Sequence, residues 1–117
     1  IITCNCCDVY NPKTVRSAMG SLMRVNIIDD DIGNAVLNLK NAGITVYAAV
    51  IDSSAVSLTE CDFSKGGAVM IGNEGNGLPR EHSALADVPL TIKMHGTINS
   101  LNAAMAAGII MWELSKA

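Results

Sequence analysis

Three glycines and a carboxylate crowd the stretch Gly72-Asn73-Glu74-Gly75-Asn76-Gly77, with Ile71 before it and Leu78-Pro79 after it. An apolar, strand-like run from Ala68 to Ile71 leads in, and Pro79 fits the first turn of a helix leading out. Glycine lets a backbone adopt unusual dihedrals and come close to a ligand. A strand–glycine loop–helix unit is where α/β sheets hold nucleotide-like ligands. Phosphate is not the expected ligand: the spacing is G-x-x-G-x-G, no Gly-Lys-Ser/Thr follows, and Glu74 would repel an anion. The loop is predicted to take a neutral or cationic ligand. A lone loop glutamate is ordinarily just solvated, but the flanking glycines favour a functional Glu74. Further along, Asn99, Ser100 and Asn102 all suit a helix start. Ser100 is read as the N-cap, with Asn102 on the first turn facing the loops at the strand ends. His82 and His95 have no Asp, Ser or Cys at a catalytic spacing, and the sequence holds no metal-ligand constellation.

The elements that must carry these residues alternate between strand and helix. Strands are expected over Ile1–Cys6, Leu22–Ile28, Ile44–Ile51, Ala68–Ile71 and Val88–Met94. Asn11-Pro12 starts a short helix through Met19, closed by Gly20. Asp29-Asp30-Asp31 offers an N-cap and favourable charge to a second helix. In it Ile32, Ala35, Val36 and Leu39 recur at i, i+3, i+4 and i+7, and Gly43 ends it. Ser53–Gly67 reads as a loop with at most one helical turn. Pro79–Leu85 and Asn99–Lys116 complete the helices. Such alternation predicts an α/β fold, a parallel sheet with helices on both faces. The last helix is apolar on nearly every side, so one side is assigned to the sheet and the other, through Met105, Met111 and Trp112, to a second protomer.

Composition narrows the class. The chain has 117 residues, one domain's worth; half are hydrophobic and only 16% charged, which excludes a disordered polypeptide. No apolar run reaches the roughly 18 residues a membrane span needs. A net charge of −3 is poor for a stand-alone nucleic-acid binder. Cys4, Cys6, Cys7 and Cys61 do not have zinc-knuckle spacing and read as free thiols of a cytosolic, cytoplasmic protein.

Taken in order, Gly72-Asn73-Glu74-Gly75-Asn76-Gly77-Leu78, then Ile92-Lys93-Met94, then Ser100-Leu101-Asn102 with its Ala-rich helix, resemble the second and third signatures of the SpoU-type RNA ribose methyltransferases of the SPOUT superfamily. Asn11-Pro12-Lys13 with Arg16 and Gly20 resembles a stretch upstream of them, so the likeness covers nearly the whole chain. The resemblance implies methylation of a ribose 2′-hydroxyl in tRNA or rRNA with S-adenosylmethionine as cofactor, a homodimer, and a C-terminal deep trefoil knot. It implies catalytic roles for Glu74, Asn102 and Arg16: Glu74 positions the ribose, Asn102 orients substrate or the catalytic arginine, and Arg16 contacts phosphate. Cofactor contacts, largely through backbone, are implied at Gly72, Ile92 and Leu101, with Asn73, Gly75, Met94 and Ser100 beside them. Lys13, Arg24 and Arg80 are further candidates for RNA contact. Where the family often reads Arg-Ala-Ser-x-Gly, this chain has Arg16-Ser17-Ala18-Met19-Gly20, which displaces the hydroxyl by one position. The family's opening Asn-x-Gly-x-x-x-Arg motif does not occur in residues 1–117, so the resemblance implies an N-terminally truncated domain with little activity by itself. The alternatives are an inactive or incomplete cofactor-binding domain of the same family, and a doubly wound module for a nucleotide-like ligand.

Overall fold

One short segment shows how locally satisfied hydrogen bonds override strand propensity. The computed structural model describes residues 6–98 and 100–117, and the chain divides into two compact units, Ile1–Ala35 and Val36–Ala117. Most of the strand expected over Ile1–Cys6, and the Asn99 start of the last helix, lie outside the described residues. In the first unit α1 spans Pro12–Ser17. Asn11 caps it, its side-chain oxygen accepting from the Lys13 N–H at 2.9 Å, and Pro12 takes the first turn. The helix ends earlier than expected, because Met19 (φ 49) and Gly20 (φ 83) are both left-handed. The expected strand Leu22–Ile28 is not formed; Ser21–Met23 is instead a turn of 3₁₀ helix. Its hydrogen bonds are local, with the Ser21 N–H and hydroxyl both donating to the Ala18 carbonyl and the Arg24 N–H to Ser21, so no ladder is required.

Helix α2, Ile32–Asn41, follows its apolar period: Ala35 and Val36 are buried, Ile32 and Leu39 half-buried. Asp31 caps it by accepting from the Asn34 N–H. At its end the Ile44 N–H reaches the Leu39 carbonyl and the Gly43 N–H that of Lys40, with Gly43 left-handed (φ 74), which is a Schellman closure.

The second unit is built on four parallel strands: β1 (Val46–Ala49), β2 (Val56–Ser57), β3 (Ala68–Met70) and β4 (Val88–Thr91), in the order β2-β4-β1-β3. The last strand is thus inserted between two earlier ones. Strand β1 is central and nearly wholly buried, as its unbroken apolar run predicts. The three strands predicted within this unit, Ile44–Ile51, Ala68–Ile71 and Val88–Met94, all exist but are shorter. The segment Ser53–Gly67, read as loop, contains both β2 and a 3₁₀ turn at Leu58–Glu60. Two paired residues carry no period that a sequence can display; β2 exists because β4 offers it an edge at Leu90 and Thr91. Pro89 sits one residue before that pairing begins, where its missing N–H costs no ladder bond. Helix α3 is a single turn, Arg80–Ser83, and α4 spans Ala103–Ser115.

The core of this unit is Tyr47, Leu58, Phe63, Leu90 and Ile110. The Tyr47 and Phe63 rings meet edge to face with centroids 5.0 Å apart, and the Tyr47 hydroxyl donates to the Asp62 carbonyl at 2.9 Å. Ile110 brings α4 into this cluster, with Ile109 and Leu114 against it. The other face of α4 is uncovered: Met105, Met111 and Trp112 are 60%, 61% and 65% exposed.

One carboxylate ties three elements. Asp87, just before β4, accepts from the buried Val46 N–H of β1 at 2.9 Å, and Lys40 of α2 lies 3.0 Å from its other oxygen. Asp87→Ala leaves a buried N–H unpaired and is expected to cost about 1–3 kcal/mol. The Val46 N–H first, and Lys40 second, hold the Asp87 carboxyl below its ordinary value. A depressed carboxyl contributes stability that is complete above its unfolded value of about 4 and is lost as pH falls through the lower folded value. Urea melts of wild type and Asp87→Asn are expected to diverge near pH 7 and to converge as the pH falls below the ordinary carboxyl value of about 4; parallel curves would exclude this role.

Candidate functional site

Because β1, β3 and β4 are parallel, the loops that follow them leave the sheet at one edge. Strand β1 lies between the other two, pairing Ala48 with Met70 on one side and Ala49 with Leu90 on the other. Strands are about 4.8 Å apart, so the loops after β3 and β4 rise roughly 10 Å from each other across the end of β1. The glycine loop and the Ile92-Lys93-Met94 segment are therefore brought together by strand order, although they are distant in sequence.

The glycine loop is closed on itself. Asn73 accepts the Gly77 N–H through its backbone carbonyl at 3.0 Å, while its side-chain oxygen accepts from the N–H groups of Gly75 (3.0 Å) and Asn76 (2.8 Å). A Cβ at position 72 would run into the backbone of Gly77 and Leu78. The glycine at 72 is thus demanded by the loop's own far side, not only by an incoming ligand. Gly75 differs: the nearest atom to an added Cβ is the Asn73 side-chain oxygen at 3.5 Å, an ordinary contact, so the loop's packing does not require glycine there. Glu74 sits exposed between Asn73 and Gly75, and no other described residue pairs with its carboxylate.

After β4 the chain alternates. Ile92 packs its side chain against the core, Lys93 points outward to Glu60 at 3.7 Å, and Met94 is half-buried. Ser100 is exposed and Leu101 half-buried. The N-cap of α4 is Asn102, not Ser100: the Asn102 side-chain oxygen accepts from the N–H groups of Ala104 (2.9 Å) and Met105 (3.3 Å). The helix begins later than expected because Asn102 has extended backbone (ψ 138), which a first-turn residue cannot have. Capping engages only the oxygen, and among the described residues none accepts from the Asn102 amide nitrogen.

Arg16 lies in the first unit, on the last turn of α1, exposed like Lys13 and Arg24. The displaced hydroxyl of Ser17 donates back to the Lys13 carbonyl at 2.7 Å, so it serves the helix. His82 stands 3.9 Å from Glu81 on α3. Ile51 and Ile71, read as strand residues, instead follow the shortened β1 and β3 and are 74% and 38% exposed. They add apolar surface to the loop edge. Their only sequence signal was an apolar run ending at a loop, which a buried strand end shares.

A family model described as SpoU rRNA Methylase matches residues 1–112. A 23S rRNA (guanosine(2553)-2′-O)-methyltransferase of Bacillus subtilis is 33% identical over 107 residues, 92% of this chain and 43% of that protein. A tRNA (guanosine(18)-2′-O)-methyltransferase of Thermus thermophilus is 37% identical over 89 residues, 76% of this chain and 46% of that protein. The SpoU methyltransferase AviRb of Streptomyces viridochromogenes, solved in complex with AdoMet, aligns with a TM-score of 0.85 at 30% identity over 98% of this chain and 47% of that one. The chain spans less than half the length of each of these relatives.

Two alanine substitutions separate the glycines. Gly72→Ala meets backbone that no side-chain rotation can clear, and is expected to destabilise by about 1–3 kcal/mol and to speed exchange of the Gly77 amide. Gly75→Ala is expected to leave both unchanged. Equal Gly77 exchange in Gly72→Ala and wild type would refute the close approach.

Proposed function

The chain belongs to the SpoU rRNA methylase family, and on that premise we propose that it binds S-adenosylmethionine and serves methyl transfer to a ribose 2′-hydroxyl of tRNA or rRNA. The observation that carries this reading is the pair of loops after β3 and β4, raised side by side with one carboxylate and glycine where packing does not ask for it. The residues fit the group: the glycine loop has no lysine or arginine, and Glu74 favours a cation over a phosphate. Gly72, Gly75, Ile92, Met94, Ser100 and Leu101 are the proposed holding residues, through backbone where their side chains are turned inward. When bound, S-adenosylmethionine supplies a methyl group on a positively charged sulfur.

The chain's own part is to bring a hydroxyl into line and keep it there. Glu74, without a partner for its carboxylate among the described residues and held on both flanks, orients the ribose. The amide hydrogens of Asn102 orient substrate, and Arg16 binds a substrate phosphate. Loss of the hydroxyl proton needs an acceptor at the ribose, and Glu74 is the carboxylate the loop supplies there. The proposed fold is a deep trefoil knot, supported by β4 lying between β1 and β2, both of which precede it. The proposed assembly is a cytoplasmic homodimer across the bare face of α4, where Met105, Met111 and Trp112 line one stripe with the small residues Ala104 and Gly108.

Calorimetry on the purified chain is expected to show binding of S-adenosylmethionine and of its demethylated product. A folded chain that binds neither overturns the reading. In sedimentation the chain is expected to run as a dimer. Trp112→Asp or Met105→Lys places a charge in the proposed contact and is expected to shift it to monomer. A wild-type monomer at micromolar concentration would rule the α4 interface out.

A further inference from the structure

We propose that Asn73 is a positioning residue: through its side-chain oxygen it sets the shape of the Gly72–Leu78 loop before any ligand arrives, and it acts on the reaction only through Glu74 and the loop backbone. The inference rests on the function proposed above. It departs from the expectation that Asn73 itself touches the cofactor.

One residue accounts for the loop's internal order. Its side-chain oxygen receives two N–H groups, from Gly75 and Asn76, and its backbone carbonyl receives a third, from Gly77. These bonds close the loop into a short antiparallel bridge between Asn73 and Gly77. Both acceptor directions of the amide oxygen are then occupied within the loop. Glu74 is bracketed: Asn73 precedes it, and Gly75, whose N–H is bonded, follows it. Its backbone direction is therefore fixed while its carboxylate stays outside the network. A carboxylate on a glycine-rich loop would otherwise sample many directions, and ordering it would weigh against each binding event. Asn73 removes that cost in the free protein. Asparagine, aspartate and serine can all offer a side-chain oxygen to the N–H groups that follow them; leucine has nearly the same size and offers none.

Two measurements test this on the same purified chain. In the ligand-free protein the Gly75 and Asn76 amides are expected to be protected from hydrogen exchange in wild type, Asn73→Asp and Asn73→Ser, and to lose protection in Asn73→Leu. S-adenosylhomocysteine is the binding probe, because its uncharged sulfur keeps the added charge of Asn73→Asp from dominating. By calorimetry Asn73→Leu is expected to weaken its binding about tenfold, while Asn73→Asp and Asn73→Ser stay within about threefold of wild type. Asn73→Asp as weak as Asn73→Leu would mean that the amide hydrogens touch the ligand directly, and overturns the proposal. So would amides that exchange alike in Asn73→Leu and wild type, or binding by Asn73→Leu equal to wild type. If wild type binds neither S-adenosylhomocysteine nor S-adenosylmethionine, the function reading fails by itself. The exchange comparison then decides the loop claim: lost protection in Asn73→Leu supports it, unchanged protection overturns it.

Discussion

Parallel pairing of β1 with β3 on one side and β4 on the other is the constraint on which the rest of the site depends. Parallel strands deliver their following loops to the same edge, so two signatures some 20 residues apart in sequence become neighbours across one buried strand. The pairing is secured where β1 begins. The Val46 N–H and carbonyl are both held by Asp87, one by its carboxylate and one by its N–H. Lys40 adds the end of α2 to the same carboxylate. Register at this point fixes which residues of β4 face the core, since a shift of one would turn Leu90 outward.

Above that edge the glycine loop carries its own support. The amides of Gly75, Asn76 and Gly77 are satisfied by Asn73, and the turn is tight enough to exclude a side chain at Gly72. A loop so closed does not have to be ordered by its ligand, and binding energy is then available for alignment of the reacting groups. Asn102 uses a related device: one atom of its amide caps α4, and the other is left over. In both residues a local backbone motif fixes the orientation of a side-chain amide.

Helix α4 has two unlike sides, one buried and one exposed. Ile110 enters the core beside Leu90 and Tyr47, and the stripe of Met105, Met111 and Trp112 stays bare. An apolar stripe of this kind on a helix is the feature that sets this chain apart from a simple doubly wound module, whose helices show polar outer faces.

What the sequence determined by itself was the chemistry of short range: the alternation of strand and helix, the capping of α1 by Asn11 and of α2 by Asp31, the closure at Gly43, the buried β1 and the glycine loop with its carboxylate. Each rests on bonds or periods within a few residues, which order along the chain displays directly. The family likeness was legible for the same reason, since its signatures are contiguous. What only the tertiary structure decided depended on distant partners. Strand β2 is two residues long and exists because β4 offers an edge. The stretch Leu22–Ile28 has strand composition, yet it starts in a 3₁₀ turn after two left-handed residues. Ser100 and Asn102 both have the composition of a cap, and only the backbone angle chose Asn102. Gly72 and Asn73 were read only as ligand contacts, and the folded loop also needs them for itself, because a close approach between two backbones is a property of three dimensions that residue type alone does not encode.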